Sequence, residues 1–163
     1  MLRPILITIA LLAYRAATAA DLTGRASVID GDTIEVHGQR IRLFGIDAPE
    51  SRQTCEAAGQ TWRCGQQAAL ALAEFIDQRT VTCGQRDLDR YGRIVAVCRA
   101  GVDDLGAWAV HNGWALAYRR YSTAYVGAED SARAAKRGIW RGTFTAPWDW
   151  RRGDRAPYAG AAD

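Results

Sequence analysis

Residues 22–46 read LTGRASVIDGDTIEVHGQRIRLFGI, and the pattern of this segment indicates the fold class. Its β-branched residues fall into three short runs with partial alternation of apolar and polar residues, which is typical of strands. The predicted strands are Leu22–Ile29, Thr33–His37 and Gln39–Ile46. Turn signals separate them at Asp30-Gly31-Asp32 and His37-Gly38-Gln39. The stretch therefore predicts an antiparallel meander.

The residues after this meander predict a second hairpin and several helices. An apolar stripe with outward-facing acids indicates a helix over Gly65–Gln78. Two further strands, Thr80–Cys83 and Arg93–Cys98, flank a turn at Leu88–Gly92. The remaining expected elements are a short helix capped by Asp103-Asp104 and ended by Gly113, an extended segment Trp114–Tyr118, and a helix over Ala128–Arg137. This order predicts the α+β class, as an OB-fold five-stranded β-barrel with about three helices.

Residues 1–20 read MLRPILITIALLAYRAATAA and have the features of a secretory signal peptide. Arg3 precedes the apolar run Ile5–Ala13, and Ala17-Thr18-Ala19 has the small-x-small pattern of a cleavage site. The alternative is an uncleaved anchor helix, against which Arg15 argues. Export predicts a secreted or periplasmic protein without stable membrane association after cleavage. We expect a signal peptide at 1–19, a domain at 20–140, and a loosely ordered tail without chemistry at 141–163.

The composition is that of a globular protein. With 48% hydrophobic and 24% charged residues, the chain is not mostly disordered. No apolar run reaches the roughly 18 residues of a membrane span, which excludes a polytopic membrane protein. The 163 residues carry 21 Lys and Arg against 18 Asp and Glu, a net charge of +3. Loss of Arg3 and Arg15 with the signal peptide leaves 19 against 18, or +1, so overall basicity says little about a nucleic-acid partner.

The four cysteines, an even number in an exported chain, predict two disulfides out of three possible connectivities. Cys83 and Cys98 lie at equal distances from a turn centred near Arg90, and should therefore face each other across the hairpin. Cys55 and Cys64 then close a small loop. A zinc site is unsupported, because there is no C-x-x-C spacing and the two histidines lie in unrelated segments.

Four short motifs carry charged residues, and each has an ordinary structural explanation. Asp30-Gly31-Asp32-Thr33 is a common hairpin turn, and an EF-hand is excluded because Ile34 stands where a ligand is needed. Arg40-Ile41-Arg42 puts two arginines on one face of a strand, which can simply face solvent. Asp47-Ala48-Pro49-Glu50 reads as a polar loop, and Asp89-Arg90-Tyr91-Gly92-Arg93 as a charged turn.

Together, these motifs resemble the staphylococcal nuclease (thermonuclease) family in order and spacing. The matching motifs are VIDGDT at 28–33, IRLFGIDAPE at 41–50 and DRYGR at 89–93. Gly113-Trp114-Ala115 and KRGIW at 136–140 resemble the C-terminal half of the family, so the resemblance covers about Leu22–Trp140. The segment Pro147–Arg151 is similar to the tails of bacterial members.

The resemblance implies a monomeric, Ca²⁺-dependent nuclease on an OB-fold barrel. It would hydrolyse phosphodiester bonds in DNA and RNA, with the 5′-oxygen leaving and 3′-phosphate products. By motif position, Asp32 and Asp47 are the calcium carboxylates, and Ala48 adds its backbone carbonyl. Asp30 would lie nearby as a further acid. The catalytic residues implied are Arg42, Glu50 and Arg93.

The resemblance also implies contacts with the nucleotide. Tyr118 stands where the family has an aromatic residue beside the nucleotide, and Arg120 and Tyr121 follow it. Stacking on a base is tolerant of sequence and suits a nonspecific nuclease. Packing within the barrel is an equal alternative for Tyr118. Arg90 either contacts phosphate or is a solvated turn residue.

Two other functions share parts of this pattern. A nucleic-acid-binding OB-fold module without catalysis would not need the set of acids and arginines that is complete here. A structural Ca²⁺-binding exported domain would not need two arginines in catalytic register. No G-x-S-x-G motif supports a serine hydrolase, and Lys136 lacks the preceding glycine of a P-loop.

Overall fold

A computed structural model describes residues 21–160 of the chain. Its strands, numbered along the chain, are β1 Leu22–Asp30, β2 Thr33–Val36, β3 Gln39–Leu43, β4 Ile46–Asp47, β5 Cys55–Ala57, β6 Gln60–Trp62, β7 Thr80–Leu88, β8 Ile94–Ala100, β9 Asp103–Asp104 and β10 Leu116–Ala117. Its helices are α1 Cys64–Ile76, α2 Leu105–His111, α3 Val126–Ala134 and α4 Pro147–Arg151, with a 3₁₀ turn at Gly138–Arg141.

Five strands close into a barrel in the order β3-β2-β1-β7-β8. Neighbouring strands in this order are antiparallel, and the parallel pairing of β3 with β8 closes the ring. The closing register places Ile41 opposite Ile94 and Leu43 opposite Ala96. This is the α+β, five-stranded OB-fold barrel that the sequence predicts.

The barrel encloses the main apolar core, as the β-branched runs require. Ile34, Ile41 and Val81 from three of its strands are completely buried. Leu72 of α1 belongs to the same core, and α1 packs against β1. Residues of β1 alternate between half-buried and exposed, which is the pattern of a strand covered on one face.

The predicted third strand is interrupted. Gly45 adopts a φ of 76°, in the left-handed region that favours glycine, and the strand ends at Leu43. Ile46 and Asp47 form the separate strand β4, in which Asp47 pairs with Leu116 of β10. After this break the chain no longer continues β3, and Asp47 is fully buried beside β10.

Two parts of the chain are more ordered than predicted. The region 47–63, expected to be a loop, contains the hairpin of β5 and β6. The expectation of a loosely ordered tail is wrong for residues 141–160, because Phe144, Ala146 and Pro147 are buried in a second apolar cluster or in α4. With α4 there are four helices rather than about three within the described residues.

Both predicted disulfides are confirmed. Cys83 and Cys98 lie directly opposite each other in the β7–β8 register and are bonded. Cys55 of β5 is bonded to Cys64, the first residue of α1. The second bond therefore fixes the β5–β6 hairpin to the start of the helix.

The signal peptide at 1–19 lies outside the described residues and stays a prediction, as do the domain boundaries. Within residues 21–160, none of the helices has the length and apolar character needed to cross a membrane.

Candidate active site

Two turns bring three aspartates together. The Asp32 N–H donates to Asp30 Oδ1 at 3.1 Å, which fixes the turn between β1 and β2. Gly31 permits a close approach here, because a Cβ at this position would lie 2.7 Å from the Cβ of Ala48. The Ala48 N–H in turn donates to Asp32 Oδ2 at 3.2 Å. Asp47, the preceding residue, is fully buried.

Burial makes the carboxylates of Asp30 and Asp47 costly to ionise, and Arg42 compensates for part of that cost at Asp47. Burial and the neighbouring charge of Asp32 raise the pKa of Asp30 to about 6. Burial also raises the pKa of Asp47 to about 6, although Arg151 and Arg42 oppose the rise. Arg42 donates to Asp47 Oδ1 at 2.8 Å and lies 3.5 Å from Asp32 Oδ2. These carboxylates outweigh the burial of Arg42 and raise the pKa of its guanidinium, which stays charged.

Glu50 lies on a loop that is held from two sides. Its N–H donates to Gln53 Oε1 at 3.1 Å, and the fully buried Gln53 donates from Nε2 to the carbonyl of Thr145 at 2.7 Å. On the other side, α1 begins against the loop: a Cβ on Gly65 would lie 1.7 Å from the Glu50 carbonyl oxygen. The backbone is therefore fixed, while the Glu50 side chain is 38% exposed.

Arg93 follows the β7–β8 turn and is oriented by Asp89. Asp89 Oδ1 accepts the N–H groups of Tyr91 and Arg93, each at 2.9 Å, and Oδ2 accepts from Arg93 Nε at 2.6 Å. Loss of solvation would raise the pKa of Asp89, but these hydrogen bonds to its charged form have the larger effect, and the pKa is lowered. Within residues 21–160 the Nη groups of Arg93 make no hydrogen bond, so they can donate to a substrate oxygen.

A cleft of about 120 Å³ brings most of the predicted site together. Arg42 and Arg93 line it together with residues from two segments, 30–33 and 48–50. Asp47 lies behind its wall, covered by Arg42 and Arg151. The full lining is Asp30, Asp32, Thr33, Arg42, Ala48, Pro49, Glu50, Arg93 and Arg151.

A larger cleft of about 620 Å³ adjoins the first and shares Arg42 and Arg151 with it. Tyr118 stacks in parallel on Trp148, with ring centres 5.5 Å apart, and meets Tyr121 edge-on at 5.0 Å. Tyr118 thus both packs against a neighbour and borders the cleft. Tyr121 is 60% exposed. The nucleotide-contacting residues suggested by the sequence all line this cleft: Arg90, Tyr118, Arg120 and Tyr121.

Arg151, the last residue of α4, was not found from the sequence. Its Nη1 and Nη2 donate to Asp47 Oδ1 at 2.9 Å and Oδ2 at 2.7 Å, and Nη1 also donates to Glu50 Oε1 at 2.6 Å. Pro147 followed by an amphipathic stretch is a helix-start signal that could have predicted α4. No local pattern shows a contact between residues 104 positions apart. The tail therefore reaches the site, contrary to the expectation that it carries no chemistry.

The donor atoms of the site suit a hard cation. Asp32 and Asp47 carry carboxylate oxygens, those of Asp47 bonded to Arg42 and Arg151 in this structure, and Ala48 carries a backbone carbonyl. Ca²⁺ prefers oxygen ligands in a flexible sphere. As the side chains stand, residues 21–160 contain no group of three or more His, Cys, Asp or Glu arranged around a metal position. Backbone oxygen and water would therefore complete a sphere built on two aspartates. By donor type, these residues fit Ca²⁺.

Comparison with known proteins assigns the family. The family model described as Staphylococcal nuclease homologue matches residues 40–142. The chain belongs to this family. The part matched to the staphylococcal nuclease family contains Arg42, Glu50 and Arg93, whereas Asp32 and Arg151 lie outside it.

Individual relatives span most of the chain. The succinoglycan biosynthesis protein ExoI of Rhizobium meliloti (strain 1021) is 39% identical over 135 residues, which cover 80% of this chain and 71% of the relative. An uncharacterized endonuclease of Escherichia coli is 36% identical over 142 residues, covering 81% and 86%. A micrococcal nuclease of Shigella flexneri is 32% identical over 155 residues, covering 83% and 84%. Membership of the staphylococcal nuclease family supports a hydrolytic nuclease with a nucleic-acid substrate.

Proposed function

We propose that this chain is an exported, Ca²⁺-dependent nuclease that hydrolyses phosphodiester bonds in DNA and RNA. The proposal rests on the 120 Å³ cleft. Arg42, Glu50 and Arg93 line this cleft together with Asp30 and Asp32, although their motifs are far apart in the sequence. Two disulfides support export, since such bonds persist in oxidising compartments. We place the protein in the periplasm or outside the cell, as a monomer.

Asp32, Asp47 and the carbonyl of Ala48 would hold the Ca²⁺, with Asp30 close by. When bound, the cation would neutralise part of the phosphate charge and act as a Lewis acid. The close, poorly solvated aspartates repel one another, as the raised pKa of Asp30 reflects. A divalent cation would offset this repulsion, which gives the buried acids a reason to be there.

Arg42 and Arg93 would stabilise the transition state. Attack of water on the phosphodiester increases the negative charge on the phosphate oxygens. A guanidinium donates paired hydrogen bonds in the plane that matches two such oxygens, which a lysine ammonium cannot do. Arg93 is held by Asp89 through Nε, which leaves its Nη groups for the substrate.

Glu50 would orient the attacking water and accept its proton. Its side chain lines the cleft and is 38% exposed, whereas Asp47 behind the wall is fully buried. A carboxylate that water can reach is suited to this role. Departure of the 5′-oxygen would then leave a 3′-phosphate on one product and a 5′-hydroxyl on the other.

The 620 Å³ cleft would hold the nucleotide beside the scissile bond. Tyr118 and Tyr121 offer aromatic surface for a base, worth about 1–3 kcal/mol per stacked base, without sequence preference. Arg90, on the turn between β7 and β8, would contact a neighbouring phosphate. Because Arg42 lines both clefts, a substrate that spans them would pass beside it.

Digestion of single-stranded DNA and of RNA by the oxidised protein, in Ca²⁺ and in chelator, tests this proposal. We expect both polymers to be cut in Ca²⁺, and Glu50→Gln to be strongly impaired under the same conditions. Cutting that persists in chelator would refute the role of the cation. Binding without cutting in Ca²⁺ would instead support a nucleic-acid-binding module.

A further inference from the structure

The C-terminal segment has a defined position over the active site. Helix α4 starts at the buried Pro147, and Trp148 on its first turn stacks on Tyr118 with ring planes 5° apart. The chain just before α4 is tied to the Glu50 loop, because Gln53 donates to the carbonyl of Thr145. These two contacts hold α4 against the Glu50 loop and against Tyr118, and the last residue of the helix reaches the site from there.

That last residue is Arg151. Its guanidinium bonds two carboxylates, one fully buried (Asp47) and one partly exposed (Glu50). It grips both oxygens of the fully buried Asp47 in a bidentate pair and donates from Nη1 to Glu50 Oε1 at 2.6 Å. Asp47 is immobile because it is buried. Glu50 has a fixed backbone but a half-exposed side chain with several rotamers open to it. Arg151 links the mobile carboxylate to the immobile one.

We propose that Arg151 is a positioning residue for hydrolysis: it holds the Glu50 carboxylate against Asp47, and so aims Glu50 at the attacking water. This inference rests on the proposed nuclease function and extends it to a residue beyond the segment that the family match covers. The planar fork is essential to the role, because one donor pair is used on Asp47 while Nη1 also reaches Glu50. A lysine offers a single nitrogen and can restore only part of this link.

Steady-state kinetics on single-stranded DNA in Ca²⁺ tests the role. Misplacing a catalytic group by about 1 Å costs up to about 100-fold in rate, so Arg151→Gln should lower kcat by about 10- to 100-fold. KM should change by less than about threefold, because the contact is with Glu50 and not with the nucleotide. Arg151→Lys should recover part of the loss. Arg155→Gln is the matched control: this exposed arginine of the same segment stacks on Trp150 and bonds only nearby carbonyls, so it should behave as wild type.

The double variant Arg151→Gln with Glu50→Gln separates positioning from mere stabilisation of the fold. If Arg151 acts through Glu50, the second change should add less than about a twofold loss to that of Glu50→Gln alone. Losses that multiply would overturn the proposal, as would an Arg151→Gln variant with the kcat of wild type. Unchanged near-ultraviolet circular dichroism of Arg151→Gln confirms that the variant is folded, and Arg151→Met serves as a second replacement.

Two measurements do not depend on turnover. Calorimetric titration of Arg151→Gln with Ca²⁺ should give an affinity at least equal to that of wild type, because the change removes a positive charge beside Asp47. Loss of Ca²⁺ binding would overturn the proposal, since Arg151 would then build the metal site instead of aiming Glu50. In chelator, the Tm losses of the Arg151→Gln and Glu50→Gln variants should be less than additive, and strict additivity would contradict the contact. An inactive wild type would refute the nuclease function, whereas an active wild type with an equally active Arg151→Gln would refute only the role of Arg151.

Discussion

At the scale of single residues, the arginines of the site differ in whether they bond the buried Asp47. Arg42 and Arg151 both bond the buried Asp47 and stabilise its charge. The Arg93 side chain instead bonds the turn residue Asp89 through Nε and makes no bond to Asp47. Removing Arg93 should therefore affect the chemistry with little effect on the fold, which makes it the cleanest single-residue probe.

Arg93→Ala should lower kcat by about 10²–10³-fold, the usual cost of losing one donor that stabilises transition-state charge. Its Tm should stay close to that of wild type, because the pair with Asp89 is partly exposed and such pairs contribute about 0–1 kcal/mol. Rate and thermal unfolding are measured on the same preparation. Arg99→Ala is the control, since Arg99 lies on β8, the strand that follows Arg93, and its ion pair is with Asp104 at 3.8 Å, outside both clefts. Near-full activity of Arg93→Ala would remove this arginine from the mechanism.

Residues in the three short motifs could be predicted because each motif places its acids and arginines within a few positions of one another. Asp32, Arg42 and Glu50 are examples, and the structure brings them to one cleft. Gln53 and Arg151 could not be predicted in this way. Their partners lie 92 and 104 residues away, and only the closed fold brings them into contact.

At the scale of elements, alternation of apolar residues predicts the strands of the barrel, but local conformation decides where they end. The third predicted strand is cut by the left-handed Gly45, and the hairpin of β5 and β6 has too few β-branched residues to be recognised. Glycine also sets how closely elements approach. Gly65 at the start of α1 is the clearest case, because no side chain fits between the helix and the Glu50 loop.

Gly65→Ala should lower the free energy of unfolding by about 1–3 kcal/mol and reduce activity, since the methyl group would push the Glu50 loop away from the cleft. Denaturant titration and the rate on single-stranded DNA measure the two effects. Gly127→Ala in α3 is the matched control, because a Cβ there meets no atom within 4 Å. That variant should be as stable as wild type or more stable by up to about 1 kcal/mol. Equal behaviour of the two variants would contradict the close packing at Gly65.

The disulfide between Cys83 and Cys98 joins strands that already pair in the barrel. Replacing both cysteines by serine should lower the free energy of unfolding by about 2–4 kcal/mol, mainly because the unfolded chain gains freedom. The far-ultraviolet circular dichroism spectrum should not change, since the register is set by the strand pairing. A changed spectrum under native conditions would show that the bond, and not the pairing, determines the hairpin.

At the scale of the whole molecule, positive side chains are concentrated at the cleft proposed to hold the nucleotide. After loss of the signal peptide the net charge falls from +3 to a predicted +1, yet five arginines line the 620 Å³ cleft: Arg42, Arg90, Arg120, Arg151 and Arg152. The C-terminal segment contributes two of these arginines, Arg151 and Arg152, and also Trp148, the stacking partner of Tyr118. The sequence predicts the barrel and its motifs, but docking of the tail depends on apolar contacts between distant segments and has no local signature.

Ca²⁺ should stabilise the whole domain if it binds between the aspartate turns. At a concentration 100-fold above its Kd, a ligand specific to the folded state adds about 2.7 kcal/mol, so the Tm should rise by several degrees. Thermal unfolding in Ca²⁺ and in chelator measures the shift. Asp32→Asn should abolish it, because this buried residue supplies one of the two proposed carboxylates. If Ca²⁺ raised the Tm of Asp32→Asn by as much as it raises that of wild type, the cation would bind at another site.

Identification of the cut ends of a defined oligonucleotide tests the central claim most directly. The oxidised protein is incubated with single-stranded DNA of known sequence in Ca²⁺, and the fragments are weighed by mass spectrometry. The account predicts fragments with 3′-phosphate and 5′-hydroxyl ends, formed in Ca²⁺ and absent with chelator or with Glu50→Gln. Fragments with 5′-phosphate ends, cutting that is unaffected by chelator, or an oligonucleotide that is bound but left intact would contradict it.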